Sequence, residues 1–186
     1  MKILVVVDYQ KDFVDGALGF PGAELLDSRI VSKINEYADN NDMIVFTMDT
    51  HFKDYLDTRE GKQLPIPHCI YDSEGWNLYG EVGKRLNDSL NFIMIKKSTF
   101  GVSPDSLVDG SIFFEELKYR GGKDAVTSIE LCGLVTNMCV ISNVATFQAC
   151  FPDAQIIVDS NCVDSFDKGL HNATLDVLRG MQVEVK

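Results

Sequence analysis

Residues 3–8 read Ile3-Leu4-Val5-Val6-Val7-Asp8, five consecutive apolar side chains closed by a carboxylate. A strand with one wet face alternates apolar and polar residues, whereas an unbroken apolar run of this length marks a strand covered on both faces. The stretch therefore reads as a central parallel strand. Met43 to Met48 repeats the pattern and ends at Asp49, and Phe92 to Ile95 repeats it and ends at Lys96 and Lys97. Ala125 to Val135, Ala154 to Asp159 and a terminal Gln182 to Val185 bring the expected strands to six. Between them apolar residues recur at helical spacing: Leu26, Ile30, Ile34, Tyr37 and Ala38; Val82 and Leu86; Val140, Val144 and Phe147; Leu170, Leu175 and Leu178. Strand and helix alternate, and right-handed crossovers then predict an α/β fold: three α/β/α layers around a mostly parallel, six-stranded, Rossmann-like sheet.

The chain has 186 residues, which predicts one domain spanning 1–186. With 45% hydrophobic against 24% charged residues it has the means to build a core. Acidic residues outnumber basic ones 28 to 17, giving a net charge of -11, so a phosphate backbone is repelled and nucleic acid is excluded as a partner. The opening apolar run is too short for a signal peptide, and no stretch reaches the length of a membrane span; the expectation is a soluble, cytoplasmic protein without a membrane partner. Five cysteines, an odd number spaced without a CxxC, read as reduced thiols.

Functional groups in a doubly wound sheet gather beyond the carboxyl ends of the strands. Asp8, Asp49 and the pair Lys96 and Lys97 close the first three strands, and the fourth feeds Thr136-Asn137-Met138-Cys139 into a helix. A helix N-terminus and a neighbouring lysine both favour a thiolate, so Cys139 reads as a nucleophile. The segment from Thr50 to Gly80 has little periodicity, and long loops of this kind are commonly functional. It carries His51, Glu60 and His68, which with Asp49 form a mixed nitrogen and oxygen ligand set for a divalent metal. Such donors suit zinc, iron or manganese. Cys69, beside His68, reads as a small buried thiol, and His171 lies far along the chain. Two acids and a lysine at strand ends also suit a phosphoacceptor receiver domain, but such a domain needs neither the cysteine nor the histidine-bearing loop. A dinucleotide site is poorly supported, because no G-x-G-x-x-G follows the first strand.

Taken in order, Asp8-Tyr9-Gln10-Lys11-Asp12-Phe13, Thr47-Met48-Asp49-Thr50-His51, Pro67-His68-Cys69, Lys97-Ser98-Thr99-Phe100-Gly101 and Gly133-Leu134-Val135-Thr136-Asn137-Met138-Cys139 cover most of the chain. Together they resemble the isochorismatase-like cysteine hydrolases, and among these the nicotinamidase and pyrazinamidase branch. The resemblance implies a catalytic triad of Asp8, Lys97 and Cys139. Backbone N–H groups of Val135 and Cys139 would form an oxyanion hole, with a cis peptide after Leu134. Asp49, His51 and His68 match the metal ligands, and Glu60 matches a ligand of some members. Phe13 matches an aromatic that lines the pocket, and Trp76 is a second candidate for substrate contact. Lys97 is preferred over Lys96 because it stands three residues before Phe100; strand alternation lets only one of the two face the site. The implied activity is hydrolysis of a small amide, nicotinamide first and an N-carbamoyl compound as the alternative, by a chain that forms a homo-oligomer.

Overall fold

The computed structural model describes residues 1–87 and 92–186. The opening run becomes β1 (Lys2–Val7), five of whose six residues are buried. β1 is flanked by β2 (Met43–Asp49) and β4 (Ser128–Leu134), and every residue of both is buried. β3 (Phe92–Lys97), β5 (Gln155–Asp164) and β6 (Glu184–Val185) complete one sheet in the order β3-β2-β1-β4-β5-β6, with every pairing parallel.

The helices are α1 (Lys11–Val14), α2 (Asp27–Asp39), α3 (Arg59–Gln63), α4 (Gly80–Lys84), α5 (Ile112–Tyr119), α6 (Ile141–Cys150) and α7 (Lys168–Gly180). Alternate residues of β1 serve the two faces of the sheet. Ile3, Val5 and Val7 pack with Phe113 and Leu117 of α5, Val144 and Phe147 of α6, and Leu175 and Leu178 of α7. Leu4 and Val6 pack with Ile30, Ile34 and Tyr37 of α2 and Val82 of α4. The winding reverses between β1 and β4, and at such a switch point the chain ends of neighbouring strands part to leave a crevice.

Several expectations are corrected. Leu170 is exposed rather than core, and Thr174 occupies the buried stripe of α7 beside Leu175 and Leu178. α5 was not expected: Ile112 and Tyr119 put apolar side chains on its solvent face, while only Phe113 and Leu117 are buried, which blurs the helical period. The final strand is the two-residue β6, and β5 runs five residues beyond Asp159 to Asp164 through a register shift opposite Leu131 and Gly133. All five cysteines are unpaired. Among the described residues no helix is long and apolar enough to cross a membrane.

Gly133 shows why the fourth strand needs a glycine. Its φ is +109°, and a Cβ there would stand 2.1 Å from the Val7 carbonyl oxygen on the paired strand. Gly133→Ala must either push β1 and β4 apart or abandon that backbone conformation. A loss on the order of 3 kcal/mol is expected, read as a lower urea midpoint with unchanged slope. An unchanged midpoint would contradict the geometry.

Candidate active site and metal-ligating cluster

Asp8 directly follows β1 and is fully buried, with its φ at +44°. Its backbone is held from β2, where Thr47 O accepts its N–H at 3.2 Å, and the Thr47 hydroxyl donates to Asp8 Oδ1 at 2.7 Å. Lys97, the last residue of β3, places Nζ 2.6 Å from Asp8 Oδ2, 3.5 Å from Asp49 Oδ1 and 3.8 Å from Cys139 Sγ. A further bond from Nζ to the Thr99 carbonyl, at 2.9 Å, fixes the ammonium between these groups. Cys139 lies in a wide π turn, Thr136–Val140, between β4 and α6, and the peptide bond from Leu134 to Val135 is cis. Asp8, Lys97 and Cys139, which the sequence separates widely, are thus brought into one cluster.

Strand alternation separates the two lysines. Lys96 is exposed, with Nζ 4.5 Å from the Tyr71 ring centroid and 5.3 Å from that of Trp76. Trp76, expected beside the substrate, does not line the cavity that holds Cys139. Its indole N–H is taken by the Thr50 hydroxyl at 2.9 Å and its ring packs against Tyr71, so its polar and apolar needs are met elsewhere. His171 also stays outside that cavity: its Nδ1 is 2.9 Å from the Thr136 hydroxyl, which ties α7 to the turn before Cys139.

The electrostatics follow from burial. Burial raises the Asp8 carboxyl above its ordinary 3.8, against the pull of Lys97 and with the push of Asp49. Burial alone would lower the Lys97 ammonium, but the charges of Asp8, Cys139 and Asp49 outweigh it and raise it. Burial also drives the Cys139 thiol well above its usual value, and the nearby Lys97 only partly offsets this. Burial therefore favours the Cys139 thiol over its thiolate and opposes ionisation of Asp8, and Lys97 is the group that counters both effects.

Asp49 joins this cluster to a second one. While Oδ1 faces Lys97, Oδ2 lies 3.1 Å from His51 Nε2 and 3.4 Å from His68 Nε2. Burial opposes ionisation of Asp49, yet the two imidazoles and Lys97 hold its carboxyl below the usual range. One ligand atom from each of Asp49, His51 and His68 fits within 4.8 Å of the others, a group that can hold a metal ion. The chemistry of the donors fits. His68 Nδ1 is 2.8 Å from the Ile66 carbonyl, which takes up its N–H and leaves the Nε2 lone pair facing the cluster. Glu60 stands at the edge, with Oε1 3.7 Å from His51 Nε2 and 3.8 Å from His68 Nε2.

A cavity of about 350 Å³ connects the two clusters. Cys139 and Val135 line one side, Asp49, His68 and Glu60 another, and Phe13 is among the apolar walls. Sequence reading missed Leu18, Leu64, Phe100, Met138 and Phe166 as wall residues. All five lie outside regular strands and α-helices, so no periodicity singled them out. It also missed Asn143, whose Nδ2 donates to Cys139 O at 2.8 Å and to Phe100 O at 3.2 Å while its Oδ1 accepts the Val102 N–H at 3.0 Å. A polar residue at a buried helical position was the available signal.

A switch-point crevice that joins a buried cysteine, an acid and a lysine, with a carboxylate–imidazole cluster beside them, has the make-up of a cysteine hydrolase. The chain belongs to the isochorismatase family: the Isochorismatase domain model matches residues 2–186. It is 28% identical over 177 residues to the isochorismatase family protein PncA of Bacillus subtilis (strain 168), covering 91% of this chain and 90% of that one. The structure of the pyrazinamidase/nicotinamidase of Streptococcus mutans UA159 aligns with a TM-score of 0.81 and 26% identity over 100% of both chains. The pyrazinamidase of Pyrococcus horikoshii in complex with zinc aligns with a TM-score of 0.74 over 100% of this chain and 98% of that one; at 19% identity the likeness is one of fold.

Proposed function

We propose that this chain is a nicotinamidase-like cysteine amidohydrolase, which cleaves a small aromatic carboxamide, nicotinamide first, to the carboxylate and ammonia. The observation that carries the reading is the cavity itself. It has a thiol on one side, a metal-ligating cluster on another, and apolar walls between them. Asp49 and Glu60 supply its acidic groups, and among the described residues no lysine or arginine lines it. A flat, uncharged ring with one heteroatom suits the largely apolar walls, whereas an N-carbamoyl amino acid would bring a charged carboxylate against them.

In this reading Asp8 removes the Cys139 proton as the sulfur attacks the amide carbon, and Lys97 holds the Asp8 carboxylate in place and stabilises the developing thiolate. The oxyanion is received by the backbone N–H groups of Val135 and Cys139, each such donor being worth about 3 kcal/mol. Asp8 then returns its proton to the nitrogen, the C–N bond breaks and ammonia leaves a thioester on Cys139. Asp8 next takes a proton from water as its oxygen attacks the thioester carbon; the C–S bond breaks, Asp8 passes that proton to the departing sulfur to restore the thiol, and the acid is released as its carboxylate and a proton. Asp49, His51 and His68 are the proposed metal ligands, with Glu60 at their edge, and zinc is the first candidate, iron or manganese the alternatives. A divalent cation held there supplies a Lewis-acid anchor for the ring heteroatom. Phe13, with its ring centroid 5.5 Å from that of His68, is placed to pack against the substrate ring.

The test is ammonia release from nicotinamide and from an N-carbamoyl amino acid in parallel, before chelation, after it and after readdition of zinc. Turnover of nicotinamide at about 1 to 1000 per second, lost on chelation and restored by the metal, is the expected result. Turnover of the N-carbamoyl compound alone would overturn the substrate class, and full activity after complete metal removal would overturn the role of the cluster.

A further inference from the structure

The motif that opens the site, Asp8-Tyr9-Gln10-Lys11-Asp12-Phe13, includes Gln10 and Asp12, polar residues that the proposed chemistry does not use. We propose that Gln10 and Asp12 are positioning residues: their side chains hold the two separate segments that carry the cation ligands in the register that brings those ligands together. This rests on the reading of Asp49, His51 and His68 as those ligands.

Gln10 acts on the end of β2. β1 stops pairing with β2 at Val7 and Thr47, so Asp49, two residues further on, has no strand neighbour on that side. The Gln10 carboxamide takes the vacated place. Its Oε1 accepts the Asp49 N–H at 2.7 Å and its Nε2 donates to Asp49 O at 2.9 Å, the pair of bonds that a strand residue would have made. The second Nε2 hydrogen goes to Trp76 O at 2.8 Å. Gln10 is completely buried, so water offers no substitute for any of these bonds. On the other side Asp49 pairs with Lys97 of β3. Held from both sides, its backbone sends one carboxylate oxygen to Lys97 and the other to the imidazoles.

Asp12 acts on the segment that carries His68. Its Oδ2 accepts the Cys69 N–H at 2.7 Å, and its Oδ1 accepts the Ala17 N–H at 3.1 Å. Cys69 has φ at +45°, a conformation that a non-glycine residue keeps only where its surroundings enforce it. The Cys69 carbonyl accepts the His51 N–H at 3.0 Å, so this one residue links both histidine-bearing segments. A charge-assisted bond from Asp12 is the stronger kind of hydrogen bond to place there. Gly75 leaves room for it, since a Cβ at that position would stand 2.1 Å from Asp12 Oδ2. Gln10 at the N-cap of α1 thus grips β2, and Asp12 in its first turn grips the histidine loop.

Gln10→Met keeps the shape of the side chain and removes its three hydrogen bonds; Asp12→Ala removes the second grip. The experiment titrates Zn2+ into the metal-free protein and, in parallel, records the rate of Cys139 alkylation by iodoacetamide and the melting temperature. Each variant is expected to bind Zn2+ about 10- to 100-fold more weakly, with Cys139 alkylated at the wild-type rate. Wild-type Zn2+ affinity in either folded variant overturns that residue's role. A loss of affinity that tracks an equal change in alkylation overturns positioning in favour of general loosening. Gly75→Ala serves where a variant does not fold, because it keeps both side chains and forces the Asp12 carboxylate off Cys69 from outside; undiminished affinity there overturns the Asp12 half. No saturable Zn2+ binding by the wild-type chain would overturn the ligand reading itself, and the positioning role with it.

Discussion

Cys139→Ala is expected to lower ammonia release from nicotinamide by about 10⁴- to 10⁶-fold, the range in which removal of a covalent nucleophile falls. Among the described residues no other thiol lines the cavity to form the thioester. Cys69, Cys132 and Cys162 are buried and, unlike Cys139, do not line the cavity. Cys150 is the last residue of α6, more than two turns beyond the π turn that holds Cys139. The substitution removes one sulfur from a buried position and leaves Lys97 paired with Asp8 at 2.6 Å, so the melting transition should stay near that of the wild type. Cys139→Ser is expected to recover little, because a hydroxyl gives up its proton far less readily than a thiol, and Asp8 and Lys97 are placed for the thiol. Ammonia release and a thermal melt on the same sample decide the matter. A Cys139→Ala protein that keeps a tenth or more of the wild-type rate would remove the cysteine from the mechanism.

How far the sequence speaks for this site depends on how local each signal is. The apolar runs of β1, β2 and β4 are buried on both faces, and burial on both faces is what an unbroken apolar run encodes. The ends of β1 and β2 were therefore legible as one edge, and with them Asp8 and Asp49; Lys97 ends β3, an edge strand whose burial alternates although its apolar run is unbroken. Strand alternation, a property of two adjacent residues, meant that only one of Lys96 and Lys97 could face the site, and the choice of Lys97 rested on its place three residues before Phe100; the geometry puts the two lysines on opposite faces. The cavity walls were not legible, because Leu18, Leu64 and Phe166 reach the cavity from irregular segments whose paths depend on long-range contacts. Trp76 was misplaced for a related reason. Its position is set by a hydrogen bond to Thr50, which lies 26 residues away, and by an edge-to-face contact with Tyr71 that no spacing announces. α5 failed differently: its exposed Ile112 and Tyr119 present apolar residues where a helical period demands polar ones.

Lys97→Met is expected to cost both activity and stability, and Lys96→Met neither. The Lys97 side chain is 2% exposed and is the cation facing two buried carboxylates, Asp8 at 2.6 Å and Asp49 at 3.5 Å. Removing one partner of a buried pair leaves the other charge uncompensated, which costs about 3–5 kcal/mol at neutral pH. The pH dependence has a definite sign. Asp8 already has its carboxyl raised above 3.8 by burial, with Lys97 the largest opposing influence, so its pKa rises further in the variant. Below 3.8 the carboxyl is protonated in both folded and unfolded chains and adds nothing to the difference. As pH rises through 3.8 toward the folded value, the unfolded chain releases its proton first and the variant loses stability. The variant should therefore lie closest to the wild type in acid and farthest from it at neutral pH. Activity needs Asp8 as a carboxylate, so the acid limb of the rate profile should move to higher pH in whatever turnover remains, while the plateau falls by orders of magnitude. Lys96 gives up only a surface cation–π contact with Tyr71 and Trp76, worth about 0.5–1 kcal/mol, and its profile should overlay that of the wild type. Denaturant melts at pH 4 and pH 7 together with a rate profile for the two variants separate these outcomes. Equal, small effects from both lysines would mean that the ammonium between Asp8, Asp49 and Cys139 does not organise the site.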